Sequence, residues 1–233
     1  MRDFLADGRI MILDGATGTM IQKCGLTEED FRAGIPDAPR EKELKGNNEC
    51  LNLSRPDIIR KIHNEYIAAG AGIIETNTFS ANRISQEEYG CGALASRMAY
   101  EGARIAREAA DAAMETFRES GKKAETEKKI FVAGSIGPTS KSLSMSPDMN
   151  DPAFRAVTFD EMADAYGEQI RGLILGGADM LLIETCFDAL NAKAAIYALE
   201  KLLDSPDFTG DPAVRTRLDA DGYFPVIVSV SVR

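Results

Sequence analysis

The chain has 233 residues, 44% of them hydrophobic, which is apolar material for one substantial core or two small ones. Against 27 Lys and Arg stand 37 Asp and Glu, and a net charge of −10 would repel a phosphate backbone, so nucleic acid is not an expected partner. No stretch reaches the roughly 18 continuous apolar residues of a membrane helix, and MRDFLADGRIMILDG sets acids and glycines where a signal peptide is apolar; the reading is a cytoplasmic protein without a membrane partner.

In chain order, RIMIL (9–13) reads as a short strand and RPDIIRKIHNEYIAAG (55–70) as a helix with Pro56 in its first turn and Gly70 at its end. GIIET (72–76) is a second strand, residues 93–120 a long alanine-rich helix, and KIFVAGSIG (129–137) a third strand. A helix over 159–177 follows, capped by Asp160 or Thr158, then the strand MLLIET (180–185) and the helix 189–203. The β-branched run FPVIVSVSV (224–232) suits a fifth strand buried on both faces. Strands separated by helices predict parallel pairing, as an open doubly wound sheet or a β/α barrel, and both place chemistry at the carboxyl ends of the strands. Segments 23–54 and 138–158 break the alternation as long loops on that same side, and GKKAETEKK (121–129) is a solvated charge run.

Asp14, Glu75 and Glu184 each lie just beyond an apolar strand, so a parallel sheet would bring them to one rim. A carboxylate at the end of a buried strand needs a partner, either an internal Arg or Lys or a bound ammonium. In LDGATGT (13–19), Gly15 and Gly18 free the backbone to approach a ligand, although the same letters serve equally as a tight turn. Asp14 and Glu184 on an ammonium, with N–H groups at Gly15 or Thr17 on a carboxylate, would hold the two ends of an amino acid. Glu75 with Glu184 could alternatively serve a self-sufficient enzyme as an acid–base pair. Cys24, Cys50, Cys91 and Cys186 are far apart and without a Cys-x-x-Cys pair, and read as reduced structural thiols. The single histidine, His63, falls among Ile59, Ile62, Tyr66 and Ile67 on the edge of a buried stripe.

Four stretches together carry a resemblance: ILDGATGTMIQ, KGNNECLNLSRPDIIRKIHNEYIAAGAGIIETNTFSANRI, GSIGPTSKSLSMSPDMNDPAFRAVTFDEMADAY and GGADMLLIETCFDALNAKAA. They resemble the homocysteine-binding modules of cobalamin-dependent methionine synthases, and 45–58 and 144–161 resemble these more than the relatives that use betaine or S-methylmethionine. The resemblance implies an α/β (β/α)8 TIM barrel, with residues 1–233 as one homocysteine-binding domain holding about five of its eight strands. It implies homocysteine held through its amino group by Asp14 and Glu184, its carboxylate bordered by Gly15 and Thr17, and a pocket lined by Asn77 and Thr78. In the parent it implies a zinc ion on three cysteines that activates the thiol, methylcobalamin as methyl donor, and folate- and cobalamin-binding modules as partners. Those cysteines belong to Gly-x-Asn-Cys and Gly-Gly-Cys-Cys contexts on later strands. None of the four cysteines here lies in either, so no zinc ligand is carried over and the isolated chain is expected to bind neither cofactor. The competing expectations are a non-catalytic amino-acid-binding fragment and a homocysteine S-methyltransferase of the betaine or S-methylmethionine type.

Overall fold

The computed structural model describes residues 10–121 and 129–231. Its centre is a four-stranded parallel sheet in sequential order: β1 (Ile73–Glu75), β2 (Phe131–Ile136), β3 (Met180–Cys186) and β4 (Val226–Val230). A short helix α1 (Thr17–Lys23) precedes the sheet, and the longer helices are α2 (Pro56–Ala69), α3 (Ala95–Glu119), α4 (Phe159–Gly176) and α5 (Ala189–Leu203). None of the described helices is long and apolar enough to cross a membrane.

Local chemistry accounts for the helix boundaries. Pro56 opens α2, where its missing N–H costs nothing, and Gly70 closes it at φ 108°, a conformation that penalises a Cβ. Thr158, rather than Asp160, caps α4 in a reciprocal box: Glu161 N–H donates to its hydroxyl (3.2 Å) and its own N–H donates to Glu161 Oε2 (2.8 Å). Asp188 caps α5 by accepting from Leu190 N–H at 2.9 Å.

Side chains alternate across the strands and so make two cores. Ile74, Val132, Ile136, Leu181 and Ile183 point to the helices and join the large cluster with Ile59, Met98, Ile170 and Leu173. Ile73, Ala133, Met180 and Leu182 point the other way and form a small cluster with Met11 and Phe131. Helix α4 approaches α3 closely because it presents glycine: a Cβ on Gly172 would stand 2.9 Å from Ser96 O.

Two expected strands differ from the reading. Arg9 of RIMIL lies outside the described residues, and the other four show one bridged residue, Leu13 beside Ile73, with Ile12 O accepting from Gly72 and Ile73 N–H and with Ile10 and Ile12 exposed. FPVIVSVSV forms β4, but the expectation that it is buried on both faces is corrected, since all five residues Val226–Val230 are exposed. The physical reason is its position: β4 is the sheet edge, paired on one side to β3, and β-branched composition reports suitability for a strand, not the presence of a covering layer. The sheet is accordingly open over the described residues, with four strands where five were expected. The charge run 121–129 falls largely outside those residues.

Candidate functional site

Parity along the strands builds the site. Glu75 shares its face with Ile73, Ser135 with Phe131 and Ala133, and Glu184 with Met180 and Leu182, so all three emerge on the small-core face at the carboxyl ends of adjacent strands. Asp14 joins them through the backbone: its N–H donates to Ile73 O (3.0 Å) and its Oδ1 accepts from Glu75 N–H (2.8 Å). The three carboxylates placed by the sequence at strand ends thus meet on one rim. Ser135, which sequence reasoning missed, donates its hydroxyl to Glu184 Oε1. The only signal for it was a hydroxyl within the otherwise apolar run IFVAGSIG.

Among the described residues no Lys or Arg pairs with Asp14, Glu75 or Glu184, so the internal cation that was the alternative for Glu184 is not found there. Burial drives Asp14 up to about 7 against the N–H bonds from Glu75 and its own backbone, with Glu184 adding repulsion. Glu75 rises to about 8, through burial first and then through the charges of Glu184 and Asp14. Burial also raises Glu184, opposed by the Ser135 hydroxyl. Asp14 Oδ2 is buried and accepts no hydrogen bond. The corner is a desolvated concentration of acceptors beside which the described residues place no cation.

Backbone strain coincides with it. Ala16 (φ 51°) and Thr185 (φ 56°) are the non-glycine residues at positive φ among those described, the first lying two residues after Asp14 and the second next to Glu184. Thr185 sits where the β3–β4 register slips between Ile183 and Cys186. Such conformations cost about 1–3 kcal/mol each and persist where surrounding structure imposes them. Gly15 has open space around it, and Thr17 is the first residue of α1, whose leading N–H groups have no intrahelical acceptors.

Asn77 and Thr78 are buried and tied inward. The Asn77 amide donates to Asn48 O (2.7 Å) and Asn52 Oδ1 (3.0 Å). Thr78 Oγ1 donates to Ser135 O (2.8 Å), so in its 2.6 Å contact with Thr76 Oγ1 it accepts, while Thr76 Oγ1 takes Ser135 N–H (3.0 Å). Thr78 therefore splices β1 to β2. The two long loops are fastened around this rim. Glu49, fully buried and pushed up by that burial, accepts from Ser80 N–H (2.8 Å), and Asn47 and Gln86 exchange amide hydrogen bonds of 2.7 and 3.1 Å. Asp188 gathers the hydroxyls of Ser142 and Ser144 and the N–H of Ser144; these bonds and that from Leu190 outweigh its burial and hold it at about 2.

The residues present do not fit the three-thiolate zinc site that the resemblance implies for the parent. Cys24 is exposed, Cys50 and Cys91 are buried, and Cys186 is half-buried with its thiol pushed up by burial and by Glu184. Among the described residues no three His, Cys, Asp or Glu side chains converge tightly enough to hold a metal ion, the rim carboxylates included. His63 lies wholly inside the helix layer, both ring nitrogens without a partner and its pKa lowered by burial to about 4, so it is a neutral core residue.

Comparison with solved structures gives the homocysteine methyltransferase MmuM from Escherichia coli. Its oxidized form aligns with a TM-score of 0.61 at 21% identity, over 84% of this chain and 60% of that one. The metallated form aligns with the same score and identity over 61% of its chain, and the apo form at 18% identity and 0.55 over 73%. The present chain thus spans about three-fifths of the length of the first two, and at these identities the likeness shows a shared fold. The profile of the homocysteine S-methyltransferase family matches residues 11–233, and the chain belongs to that family.

Proposed function

We propose that this chain supplies the amino-acid-binding rim of a (β/α)8 homocysteine methyltransferase of the cobalamin-dependent methionine synthase type. One observation carries the reading: Asp14, Glu75 and Glu184 are desolvated together at the carboxyl ends of the strands with no cation among the described residues beside them. An ammonium group answers that deficit, and family membership supplies homocysteine as its bearer. Asp14 and Glu184 grip the amino group, the backbone at Gly15 and Thr17 borders the carboxylate, and Asn77 forms the wall, with Thr78, fully buried, holding β1 to β2 behind it.

The sulfur end is a separate matter. A free thiol ionises near pH 8.5, so only a few per cent is thiolate at neutral pH. Neither Cys186, itself pushed up, nor His63, sealed in the helix layer, offers a base for it. The part of this chain is therefore recognition. Zinc and methylcobalamin, with the folate- and cobalamin-binding modules, belong in this reading to the intact parent. The methionine synthase assignment over other methyl donors rests on the stretches 45–58 and 144–161.

Titration calorimetry with L-homocysteine on the wild-type chain and Glu184→Gln tests the proposal. Losing a charge-assisted hydrogen bond of about 1.5–3 kcal/mol should weaken binding roughly 10- to 150-fold. Equal affinity in the two proteins would make Glu184 structural and overturn the assignment.

A further inference from the structure

The asparagines behind the rim decide which atom Asn77 shows to a ligand. Asn52, 2% exposed, directs its Nδ2 at two backbone carbonyls, Asn77 O (2.8 Å) and Met98 O (3.0 Å). Carbonyls only accept, so the orientation of this amide is chemically unambiguous and its Oδ1 must face Asn77. Asn77 meets that oxygen and the carbonyl of Asn48, two acceptors, so both of its amide hydrogens are committed. What remains is Asn77 Oδ1, which accepts no hydrogen bond from the described residues and is not among the sealed-off polar atoms. Room for Asn52 exists because residue 102 is glycine: a Cβ there would stand 2.7 Å from Asn52 Nδ2.

The location of this oxygen matters. Asn77 follows Glu75 by two residues, and Asn48 has its own amide 3.7 Å from where a Cβ on Gly18 would lie, in the first turn of α1. Asn77 is therefore tied through Asn48 to the start of α1, the helix that follows Asp14. We propose that Asn52 is a positioning residue: by accepting from Asn77 it fixes Asn77 Oδ1 as a further acceptor beside the three carboxylates, and so selects a ligand bearing a primary ammonium at that corner. A primary ammonium has three hydrogens to donate, which acceptors from Asp14, Glu184 and Asn77 would satisfy. This inference rests on the proposed amino-acid site.

The test compares two ligands in competition calorimetry, L-homocysteine and 4-sulfanylbutanoate, which is homocysteine without its amino group. The proteins are wild type, Asn52→Ala and Asn77→Ala, with thermal unfolding recorded for each. Freed from Asn52, the Asn77 amide can rotate. Homocysteine affinity should fall about tenfold in both variants while affinity for 4-sulfanylbutanoate stays within twofold of wild type. Asn77→Ala carries the test should Asn52→Ala fail to fold. Equal losses for both ligands would show a merely structural role, and unchanged homocysteine affinity would show none; either overturns the inference while leaving the amino-acid site standing. A wild-type chain that binds neither ligand would overturn the site and the inference together.

Discussion

Strand β3 carries an acid near each end, and the two are treated in opposite ways. Asp179, at the amino end, accepts from Arg107 (2.8 Å), Arg217 (3.2 Å) and the Val132 N–H (2.8 Å). Glu184, at the carboxyl end, has one hydroxyl and two neighbouring carboxylates. The same short strand is locked by neutralised charge at its base and left in electrostatic debt at its rim. Stability is served at one end and recognition at the other, because an ammonium ligand can relieve only a deficit that the protein has not already filled.

The largest effect should come from breaking the base. Asp179→Ala takes the shared carboxylate from two guanidinium groups, leaving Arg107 only Asp111 (2.9 Å) and Arg217 the Gly177 carbonyl (2.9 Å), and it strips one strand N–H of its acceptor. With Asp179 about a quarter exposed, the loss in urea unfolding should be on the order of 2–3 kcal/mol, below the 3–5 typical of a fully buried pair. A loss under 0.5 kcal/mol would show that the base does not lock the sheet.

At the rim the sign reverses. Folded-state values of about 7 for Asp14 and about 8 for Glu75 exceed their ordinary carboxylate values, so the native chain holds protons that the unfolded chain has released. Stability is then greatest below pH 4 as far as these groups are concerned, and falls as pH rises through 7 and 8. Each group contributes at most about 1.4 kcal/mol per pH unit. Asp14→Asn keeps an acceptor for the Glu75 N–H but removes the charge, and should be more stable than wild type at pH 8.5 by about 1–2 kcal/mol and similar to it at pH 4. Thermal unfolding at both pH values checks this, and a variant less stable at pH 8.5 would mean that Asp14 is structurally paired.

A smaller loss, about 1 kcal/mol, is expected for Ser135→Ala, which takes the one described hydrogen bond from Glu184; homocysteine binding should weaken as the carboxyl becomes harder to ionise. Urea unfolding and calorimetry report the two effects separately. The smallest change belongs to Thr185→Gly. Relief of its left-handed backbone is offset by the entropy glycine loses on folding, so stability should shift by less than about 1 kcal/mol, toward the stable side. A clear destabilisation in thermal unfolding would show that the Thr185 side chain, and not strain, holds the bulge.

Much of this was legible in the letters. Apolar runs spaced by helices announced parallel pairing, Pro56 and Gly70 marked helix ends, Thr158 or Asp160 marked another, and acids directly after apolar runs announced the rim. These features depend on chemistry within a few residues of one another, so sequence determines them. Whether a β-branched run is covered, whether RIMIL finds enough neighbours to be a strand, and whether Glu184 meets an arginine or a serine depend on residues far away in the chain. The hydroxyl of Ser135 is 49 residues from Glu184, and the amide of Asn52 is 25 residues from the Asn77 it orients. Only the tertiary structure decided those pairings, because strand register and loop closure, not local propensity, set which polar atoms come within hydrogen-bonding distance.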